Sequence, residues 1–472
     1  PGTLFFALKG QHNNGHRFST MAALAGAATV LAEHPTPPEA FPAHVPYLHI
    51  PNLRKAMAHI AAAFHGPFPG VLKDRCFGIT GTNGKTTTAY ILESILAHAG
   101  HRPGILGTVN YRVGETLFPA PLTTPDALLL WELLQRFTQH NADALVMEVS
   151  SHALHQHRVD AVPFSVVGWT NLTQDHLDYH PSMQDYADAK ARLWRELLKE
   201  DGIAILNADD PYFATLNTQH RGQCWTFSTQ THQQTDFFVY NAQYHLQGCT
   251  ARIHTPQGAF DLESPLHGAF NLSNALLATA MAMAAHISIE DIQQGIGNMP
   301  PVPGRLEPIS HEQDFSVFVD YAHTPDAITK VLENLKPLCQ GRLIIVFGCG
   351  GDRDPQKRPQ MAQSAAQFAD ICILTSDNPR TEDPHNILNH IQKGLSSSTH
   401  AFYDHKQTQN PPSTPFYCRD VDRKKAMQLA FTCAQPNDVV LIAGKGHEDV
   451  QIIGTLRYPF DDRNIAKQLL HP

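Results

Sequence analysis

The chain has no Cys-x-x-Cys pair, no long apolar run and no surplus of positive charge. Its eight cysteines are scattered from Cys76 to Cys433, which excludes a disulfide-stapled scaffold and fits a reducing compartment. Cys349 and Cys372 stand in or beside apolar runs, where a free thiol behaves as a small core residue. No apolar stretch approaches the roughly 18 residues that a bilayer span needs; the longest candidates, such as Ala22–Ala32, are short and alanine-rich. With 35 Lys+Arg against 44 Asp+Glu the formal charge is −9, so neither nucleic acid nor a membrane is an expected partner.

Histidine is abundant, with 29 residues. No metal-ligand spacing recurs among them, and residues in polar loops, such as His400 and His405, read as surface. Apolar content of 42% with 17% charged residues describes a globular chain. At 472 residues it exceeds one hydrophobic core and suggests roughly three domains. No signal peptide is apparent. The chain opens at Pro1 without methionine, so part of a first segment is expected to precede it. Cytoplasm is the default location, and a monomer is expected.

Three segments separate along the chain. Residues 1–70 hold a strand-like run at Leu4–Leu8, an alanine-rich helix expected over Met21–Ala32, and a proline-dense stretch. Residues 71–302 alternate strand, loop and helix, with buried-strand candidates at Ala144–Val149, Ser165–Trp169 and Ile203–Leu206; this is the signature of a mainly parallel α/β sheet. Within them, 221–263 read as an antiparallel insert, with strands at Phe237–Tyr240, Tyr244–Leu246 and Ala251–His254. After the proline-rich linker Met299–Gly304, residues 303–472 bring Val317–Val319, Leu343–Phe347, Ile371–Leu374 and Val439–Ile442, again between helices, as a second doubly wound domain would.

The strongest local signal is Cys76-Phe-Gly-Ile-Thr80, then Gly81-Thr-Asn-Gly-Lys-Thr86, then a helix expected from Thr87 to Ala99. Strand, glycine loop and helix is the context a phosphate-binding loop requires. Glycines let backbone N–H groups turn inward, Lys85 reaches terminal phosphates, and Thr86 can ligate Mg²⁺. The common G-x-x-x-x-G-K-[ST] pattern would need glycine at Ile79; here the loop is the shorter G-x-x-G-K-T. Glu148, in Met147-Glu-Val-Ser-Ser-His152, stands at the end of a buried strand, and His176, in Asn171-Leu-Thr-Gln-Asp-His-Leu-Asp178, just after another. Strand carboxyl ends are where α/β sheets place ligands, so both are candidate metal ligands.

Together with His267-Gly-Ala-Phe-Asn-Leu-Ser-Asn274, Pro303-Gly-Arg-Leu-Glu307, Asp320-Tyr-Ala-His-Thr-Pro325 and Ala443-Gly-Lys-Gly-His-Glu448, these motifs resemble the Mur ligase family of bacterial cell-wall synthesis. They run in the family's order over essentially the whole chain, and the short glycine loop is the family's usual form. Gly348-Cys-Gly-Gly-Asp-Arg-Asp354 and Ser376-Asp-Asn-Pro-Arg380 are similar to the branch that adds the third amino acid, and D-N-P-R to the form associated with meso-diaminopimelate instead of lysine.

The resemblance implies an α/β fold in three domains: an N-terminal UDP-binding domain (1–70), a central P-loop-type ATPase domain with an antiparallel insert (71–302) and a C-terminal Rossmann-like domain (303–472). It implies ATP-dependent ligation of meso-2,6-diaminopimelate to UDP-N-acetylmuramoyl-L-alanyl-D-glutamate through an acyl phosphate. Gly81, Thr82, Asn83, Gly84, Lys85, Thr86, Asn271, Asn274, Arg305 and Asp320 match ATP contacts. Thr86, Glu148 and His176 match metal ligands. Lys190 reads from the residues alone as an exposed helix lysine; the resemblance implies a carbamate formed with CO₂ that joins the metal site.

Gln11, His12 and Asn13 match a uridine-nucleotide stretch, and Thr123, Thr124, Ser150, Gln156 and Arg158 match muramoyl-dipeptide contacts. Arg353, Asp377, Asn378, Pro379, Arg380, Gly444 and Glu448 match diaminopimelate contacts. ATP motifs lie on both sides of the linker, so the domains are expected to close over the reactants. Two other readings compete: a folylpolyglutamate synthetase-like ligase, which should lack D-N-P-R and the first domain, and a regulatory nucleotide-binding protein without ligase chemistry. The second is hard to reconcile with Lys85, Glu148, His176 and Lys190 all being in place.

Overall fold

Short β-branched runs between glycine and proline breaks become parallel strands in the structure, a computed structural model that describes residues 2–10, 13–216, 220–231, 234–309, 312–405 and 414–471. The chain folds as two units. One comprises Pro1–Ser228, His232–Phe238 and Leu276–Gly295; the other comprises Thr229–Thr231, Val239–Ala275 and Ile296–Pro472.

In the first unit, β1 (Thr3–Ala7), β2 (Ala27–Ala32) and β3 (Tyr47–His49) form a small parallel sheet. The helix expected over Met21–Ala32 is therefore half wrong. A helix spans only Ser19–Leu24, Gly26 turns the chain at φ 99°, and the remaining alanines enter β2. Alanine's helix preference is worth only tenths of a kcal/mol per residue, and pairing with β1 while burying Val30 and Ala32 overrides it.

The main sheet of this unit uses β4 (Cys76–Thr80), β5 (Pro103–Leu106), β6 (Tyr111–Val113), β7 (Thr116–Phe118), β8 (Ala144–Glu148), β9 (Phe164–Trp169), β10 (Leu198–Asn207) and β11 (Gln223–Ser228). Their spatial order is β11-β10-β9-β4-β8-β5-β6-β7, parallel from β11 to β5 and antiparallel beyond. β4, β8 and β9 are buried along their whole length, which is why they read as unbroken apolar runs. A helix at Lys85–His98 follows β4 and another at Met183–Arg195 precedes β10. The second helix puts Trp194 against Trp169, with ring centroids 5.2 Å apart, in the core under the sheet.

The stretch read as an antiparallel insert is mixed. β11 runs parallel to β10, and Phe237–Phe238 of β12 (Phe237–His245) runs parallel to β11. Tyr240 and Tyr244, expected on separate strands, lie on this one strand. β13 (Gly248–Thr255) and β14 (Gly258–Ser264) form the antiparallel hairpin. Alternation of apolar and polar residues reports burial of one face and is silent on strand direction.

The second unit carries β15 (Glu307–Pro308), β16 (Ser316–Asp320), β17 (Leu343–Phe347), β18 (Ile371–Leu374), β19 (Ala401–Phe402), β20 (Phe416–Arg419) and β21 (Val439–Ala443), in the order β15-β16-β21-β17-β18-β20-β19. All pairs are parallel except β15–β16. The hairpin β22 (Val450–Ile453) and β23 (Leu456–Pro459) stands beside it in sequence. Apolar clusters cover both faces of this sheet, as a doubly wound domain requires.

Cys349 and Cys372 are buried thiols, and all eight cysteines are free. The surface reading of two histidines fails. His400 is buried with its Nε2 on the Ala369 carbonyl (2.9 Å), and His405, largely covered, lies 3.4 Å from Asp420. Their polar sequence surroundings do not reveal these contacts with Ala369 and Asp420, distant in sequence. Replacing Trp194 with alanine should cost about 3–5 kcal/mol, seen as a lowered denaturant midpoint with tryptophan fluorescence as the probe.

Candidate functional site

The loop after β4 is held open by its glycines and strapped from behind. Gly81 and Gly84 sit at φ 145° and 89°, which side chains with a Cβ avoid. A Cβ on Gly81 would overlap the Thr170 hydroxyl. Asn171, just past β9, accepts from Thr82 N through its carbonyl (2.8 Å) and from Asn83 N through Oδ1 (3.0 Å), and Thr170 Oγ1 donates to the Asn83 carbonyl (2.6 Å). Lys85 opens the helix that follows, its Nζ folded back onto the carbonyls of Gly81 and Thr82, 2.9 Å each. The expected helix start at Thr87 is thus two residues late. Loop, helix N-terminus and lysine together form a receptacle for phosphate.

Thr86 Oγ1 donates to Glu148 Oε2 (2.9 Å), so the first two expected metal ligands meet directly. Glu148, at the end of β8 and 1% exposed, also accepts from Thr108 N (2.9 Å) and Thr108 Oγ1 (3.0 Å). Gly107 leaves room for the carboxylate, since a Cβ there would collide with Oε1. Sequence reasoning missed Thr108; its signal was the Gly-Thr pair immediately after the apolar run of β5. Among the described residues no group of three His, Cys, Asp or Glu could hold a metal ion. A hydroxyl and one carboxylate are hard oxygen donors that suit Mg²⁺, which keeps several waters and takes few protein ligands beside substrate phosphates. The residues fit that ion.

Lys190 is not the exposed helix lysine that its sequence context implies. It is 1% exposed, because the inner face of helix Met183–Arg195 includes Tyr186, Ala187, Lys190, Ala191 and Trp194, at helical spacing. Its Nζ donates to the Gly81 carbonyl (2.7 Å) and lies 4.7 Å from the centre of the Tyr186 ring. No carboxylate among the described residues lies within ion-pair distance of it. Burial first, and the nearby Lys85 charge second, hold its pKa well below the usual lysine value, against Asp175. His176 sits on the loop after β9 at φ 53°, half exposed, its ring 4.8 Å from His152 and 6.0 Å from Tyr186. Burial lowers its pKa, as do Lys190 and Lys85, while Asp175 opposes them.

Thr123, Thr124, Ser150, Gln156 and Arg158 gather beside Glu148. Thr124 Oγ1 donates to the Glu148 carbonyl (2.8 Å) and accepts from Ser150 N (3.0 Å), and the Thr123 hydroxyl meets that of Thr108 (3.1 Å). Arg158 places Nε and Nη2 on Gln156 Oε1 (3.2 and 2.8 Å) and Nη1 on the Thr124 carbonyl (2.9 Å). This leaves one N–H on each Nη, the fork that grips a carboxylate end-on. Gln156 is steadied in turn by donating to the Tyr179 hydroxyl (3.0 Å), a residue not anticipated. Asn13 is exposed in the first segment; Gln11 and His12 lie outside the described residues.

In the second unit, Asn271 and Asn274 lie inside the helix Ala269–Ala284. Asn271 does not cap that helix; it donates to the His267 carbonyl (2.9 Å) and accepts from Asn274 Nδ2 (3.1 Å). Arg305 stacks over Tyr321, 4.6 Å from the ring centre. Asp320, ending β16, accepts from Leu306 N and Ala322 N (2.7 Å each), and burial raises its pKa above the ordinary carboxylate value.

The loops after β17, β18 and β21 bring the D-N-P-R and G-K-G-H-E segments together. Asp377 is 8% exposed, and its Oδ1 has no hydrogen-bond partner. Gly444, at φ 115°, passes beside Asp377 Oδ2. Asn378 Nδ2 donates to Glu448 Oε2 (2.8 Å), while the peptide of Pro379 accepts from Glu382 N (3.1 Å) to close the turn. Arg380, at φ 52°, bridges to Ile453 of β22, and its Nη1 donates to the Gly351 carbonyl (2.7 Å). No carboxylate among the described residues pairs with its guanidinium. Arg353 is exposed and donates within its own loop, at Asp352 O (3.2 Å). Lys445, which sequence reasoning passed over, lies fully buried among these groups.

A phosphate loop joined to a hydroxyl–carboxylate pair on a parallel sheet defines an enzyme of the class that uses a nucleoside triphosphate. Comparison with known sequences narrows it. The Mur ligase middle domain matches residues 79–282, the Mur ligase glutamate ligase domain 304–446 and the Mur ligase family catalytic domain 1–65. A UDP-N-acetylmuramoyl-L-alanyl-D-glutamate–2,6-diaminopimelate ligase of Geobacter metallireducens is 42% identical over 98% of this chain and 90% of its own length. One from Geobacillus thermodenitrificans is 39% identical over 99% and 92%. A solved structure of a ligase of that name superposes with a TM-score of 0.68 at 32% identity, covering 100% of this chain and 93% of the other. The chain belongs to the Mur ligase family, whose members are ATP-dependent ligases that form an amide bond.

Replacing Gly81 with alanine forces a side chain into φ 145° and onto Thr170. At roughly 1–2 kcal/mol for the backbone alone, nucleotide affinity should fall about tenfold or more with the thermal midpoint little changed, as titration with a fluorescent nucleotide would measure.

Proposed function

We propose that this chain joins meso-2,6-diaminopimelate to UDP-N-acetylmuramoyl-L-alanyl-D-glutamate, with ATP converted to ADP and phosphate. A carboxylate is a poor electrophile, because its charge repels nucleophiles and it lacks a good leaving group. In the first step a carboxylate oxygen of the dipeptide attacks the γ-phosphorus, and the bond to ADP breaks. In the second, the amine attacks the acyl carbon and inorganic phosphate departs, carrying that oxygen; the amine's proton leaves to solvent.

Lys85 turns from the Gly81 and Thr82 carbonyls toward the terminal phosphates, where its charge stabilises the transferring group. Thr86 and Glu148, with His176, would hold Mg²⁺, which supplies further neutralisation of the phosphates. Gly81, Thr82, Asn83 and Gly84 orient the chain of phosphates through backbone N–H groups. Asn271 and Asn274 serve the adenine, and Arg305 and Asp320 the rest of the nucleotide. The Arg158 fork grips a carboxylate of the peptide, with Thr123, Thr124, Ser150 and Gln156 around it. Gln11, His12 and Asn13 contact the uridine end.

The observation that carries the choice of amino acid is the group around Asp377. An arginine without an acid among the described residues, Arg380, and a buried carboxylate oxygen without a donor are complementary to a molecule bearing both a carboxylate and an ammonium at its far end. Asn378, Pro379, Gly444 and Glu448 complete that cage, and Arg353 lies at its exposed side. Lysine lacks the extra carboxylate and would leave Arg380 unpaired, and sites built around a polar partner reject such analogues by about 10⁴ or more. With an amino-acid panel and product masses as the readout, diaminopimelate should be consumed and lysine hardly at all. Arg380→Ala should narrow the gap by lowering diaminopimelate turnover. Equal use of both amino acids by the unaltered chain would sink the substrate assignment.

Lys190 is proposed to carry a carbamate. Its neutral amine adds to CO₂, one proton is released, and a buried anion results at a lysine that no carboxylate among the described residues pairs with. That anion would offer a further oxygen ligand for Mg²⁺. Isotope-labelled bicarbonate should give a carbamate carbon resonance that Lys190→Ala lacks. The variant should lose nearly all activity and regain part of it with a short carboxylic acid; full activity without rescue would refute the carbamate.

A further inference from the structure

Lys445 carries no assigned role, yet it is the best-connected charge in the amino-acid cage. It follows β21 in the turn Gly444–Gly446 and is 0% exposed. Its Nζ donates to Asn378 Oδ1 (3.2 Å), Glu448 Oε2 (3.1 Å) and the Val450 carbonyl (2.6 Å). An ammonium has three protons, and these three acceptors use them all. Asp377 Oδ1 lies 3.7 Å away, close enough to feel the charge but left without a proton donor.

Within ion-pair distance of one another stand one ammonium, Lys445, and two carboxylates, Asp377 and Glu448; the Arg380 guanidinium, which the substrate's extra carboxylate would neutralise, is not paired with this cluster. The nearby Arg423 adds no net charge, because it is paired with Asp462 (2.6 Å) and both are fully buried. A single surplus negative charge remains, next to an oxygen that needs a donor. Burying an uncompensated charge is costly, so the arrangement is complete only when one cation joins it.

The contacts also fix orientation. Asn378 Oδ1 accepts from Lys445 and from Ile452 N (2.9 Å), so its amide group must point its Nδ2 at Glu448 Oε2 (2.8 Å). Both of these donors fall on the same Glu448 oxygen. Neither of them reaches Glu448 Oε1.

We infer that Lys445 is a positioning residue for the incoming amino acid: it pins Asn378 and Glu448 and sets the pocket's charge so that it accepts one substrate ammonium, held by Asp377 Oδ1 and Glu448 Oε1. This rests on the reading of the cage as the diaminopimelate site. Lys445 does not touch the substrate; it acts through the two side chains it holds. A lysine that only ties the 377–380 turn to β22 would give an effect on KM that simply multiplies with that of Glu448→Gln.

The test is a two-residue cycle in the full chain, with KM measured separately for diaminopimelate, ATP and the UDP-linked dipeptide. Lys445→Met should raise KM for diaminopimelate about 10- to 100-fold, the scale of hydrogen bonds to charged groups, with the other two KM values within about twofold. Glu448→Gln, which leaves the pocket neutral, should also raise it, by about tenfold. In the double variant the charge balance of the natural pocket returns, with Asp377 alone opposing the substrate ammonium. Its KM should therefore fall short of the product of the two single effects by about tenfold. Single effects that simply multiply, or KM values that rise for all three substrates together, would overturn the inference. If Lys445→Met does not fold, Glu448→Gln still decides: an unchanged KM for diaminopimelate refutes it. A natural chain that does not use diaminopimelate at all would instead sink the substrate reading.

Discussion

The carbonyl oxygen of Gly81 accepts from two lysines, Lys85 at 2.9 Å and Lys190 at 2.7 Å. Two ammonium groups cannot share one buried acceptor without cost, since each disfavours the other's charge. Burial first, and this convergence second, hold the Lys190 pKa well below the usual lysine value, while Lys85 gives up a shared acceptor when it turns toward phosphate oxygens. The positive φ of Gly81, the Asn171 and Thr170 straps, and helix Met183–Arg195 surround the peptide on which those two side chains meet.

Buried charge is handled differently in the two units. In the first, Glu148 is wrapped by neutral donors from Thr86 and Thr108, so its charge is stabilised and remains available to a cation. In the second, a fixed ammonium from Lys445 stands between Asn378 and Glu448, with Asp377 just beyond hydrogen-bonding range. Both arrangements leave a definite electrostatic deficit. That is a better recognition device than a fully satisfied network, because only a ligand of the right charge relieves it.

Much of this was legible in the residues. The loop Gly81–Thr86 and the candidate ligand Glu148 could be read because glycine, lysine and acid positions are tied to strand ends, and strands announce themselves as apolar runs. The four main strands of the second unit were read within a residue or so for the same reason. What failed were readings where local pattern and tertiary context disagree. Ala27–Ala32 looked helical and pairs as a strand; His400 looked exposed and is buried. The alternation in 221–263 suggested antiparallel pairing throughout, whereas β11 and the start of β12 extend the parallel sheet. Thr108, Tyr179 and Lys445 were missed because each acts by contact with a residue far away in sequence.

By itself, the sequence determined the α/β class, the phosphate loop and the family's order of motifs, because these depend on residue types at short, fixed spacing. Only the tertiary structure decided which of the lysines are buried. An exposed and a buried lysine are the same letter with the same helical neighbours; what separates Lys190 from a surface residue is the sheet its helix packs against. Likewise only three dimensions show that Asp377 keeps an oxygen without a donor while Lys445 spends all its protons elsewhere. Desolvation and hydrogen-bond saturation are properties of the space around an atom, and the chain's order does not encode that space locally.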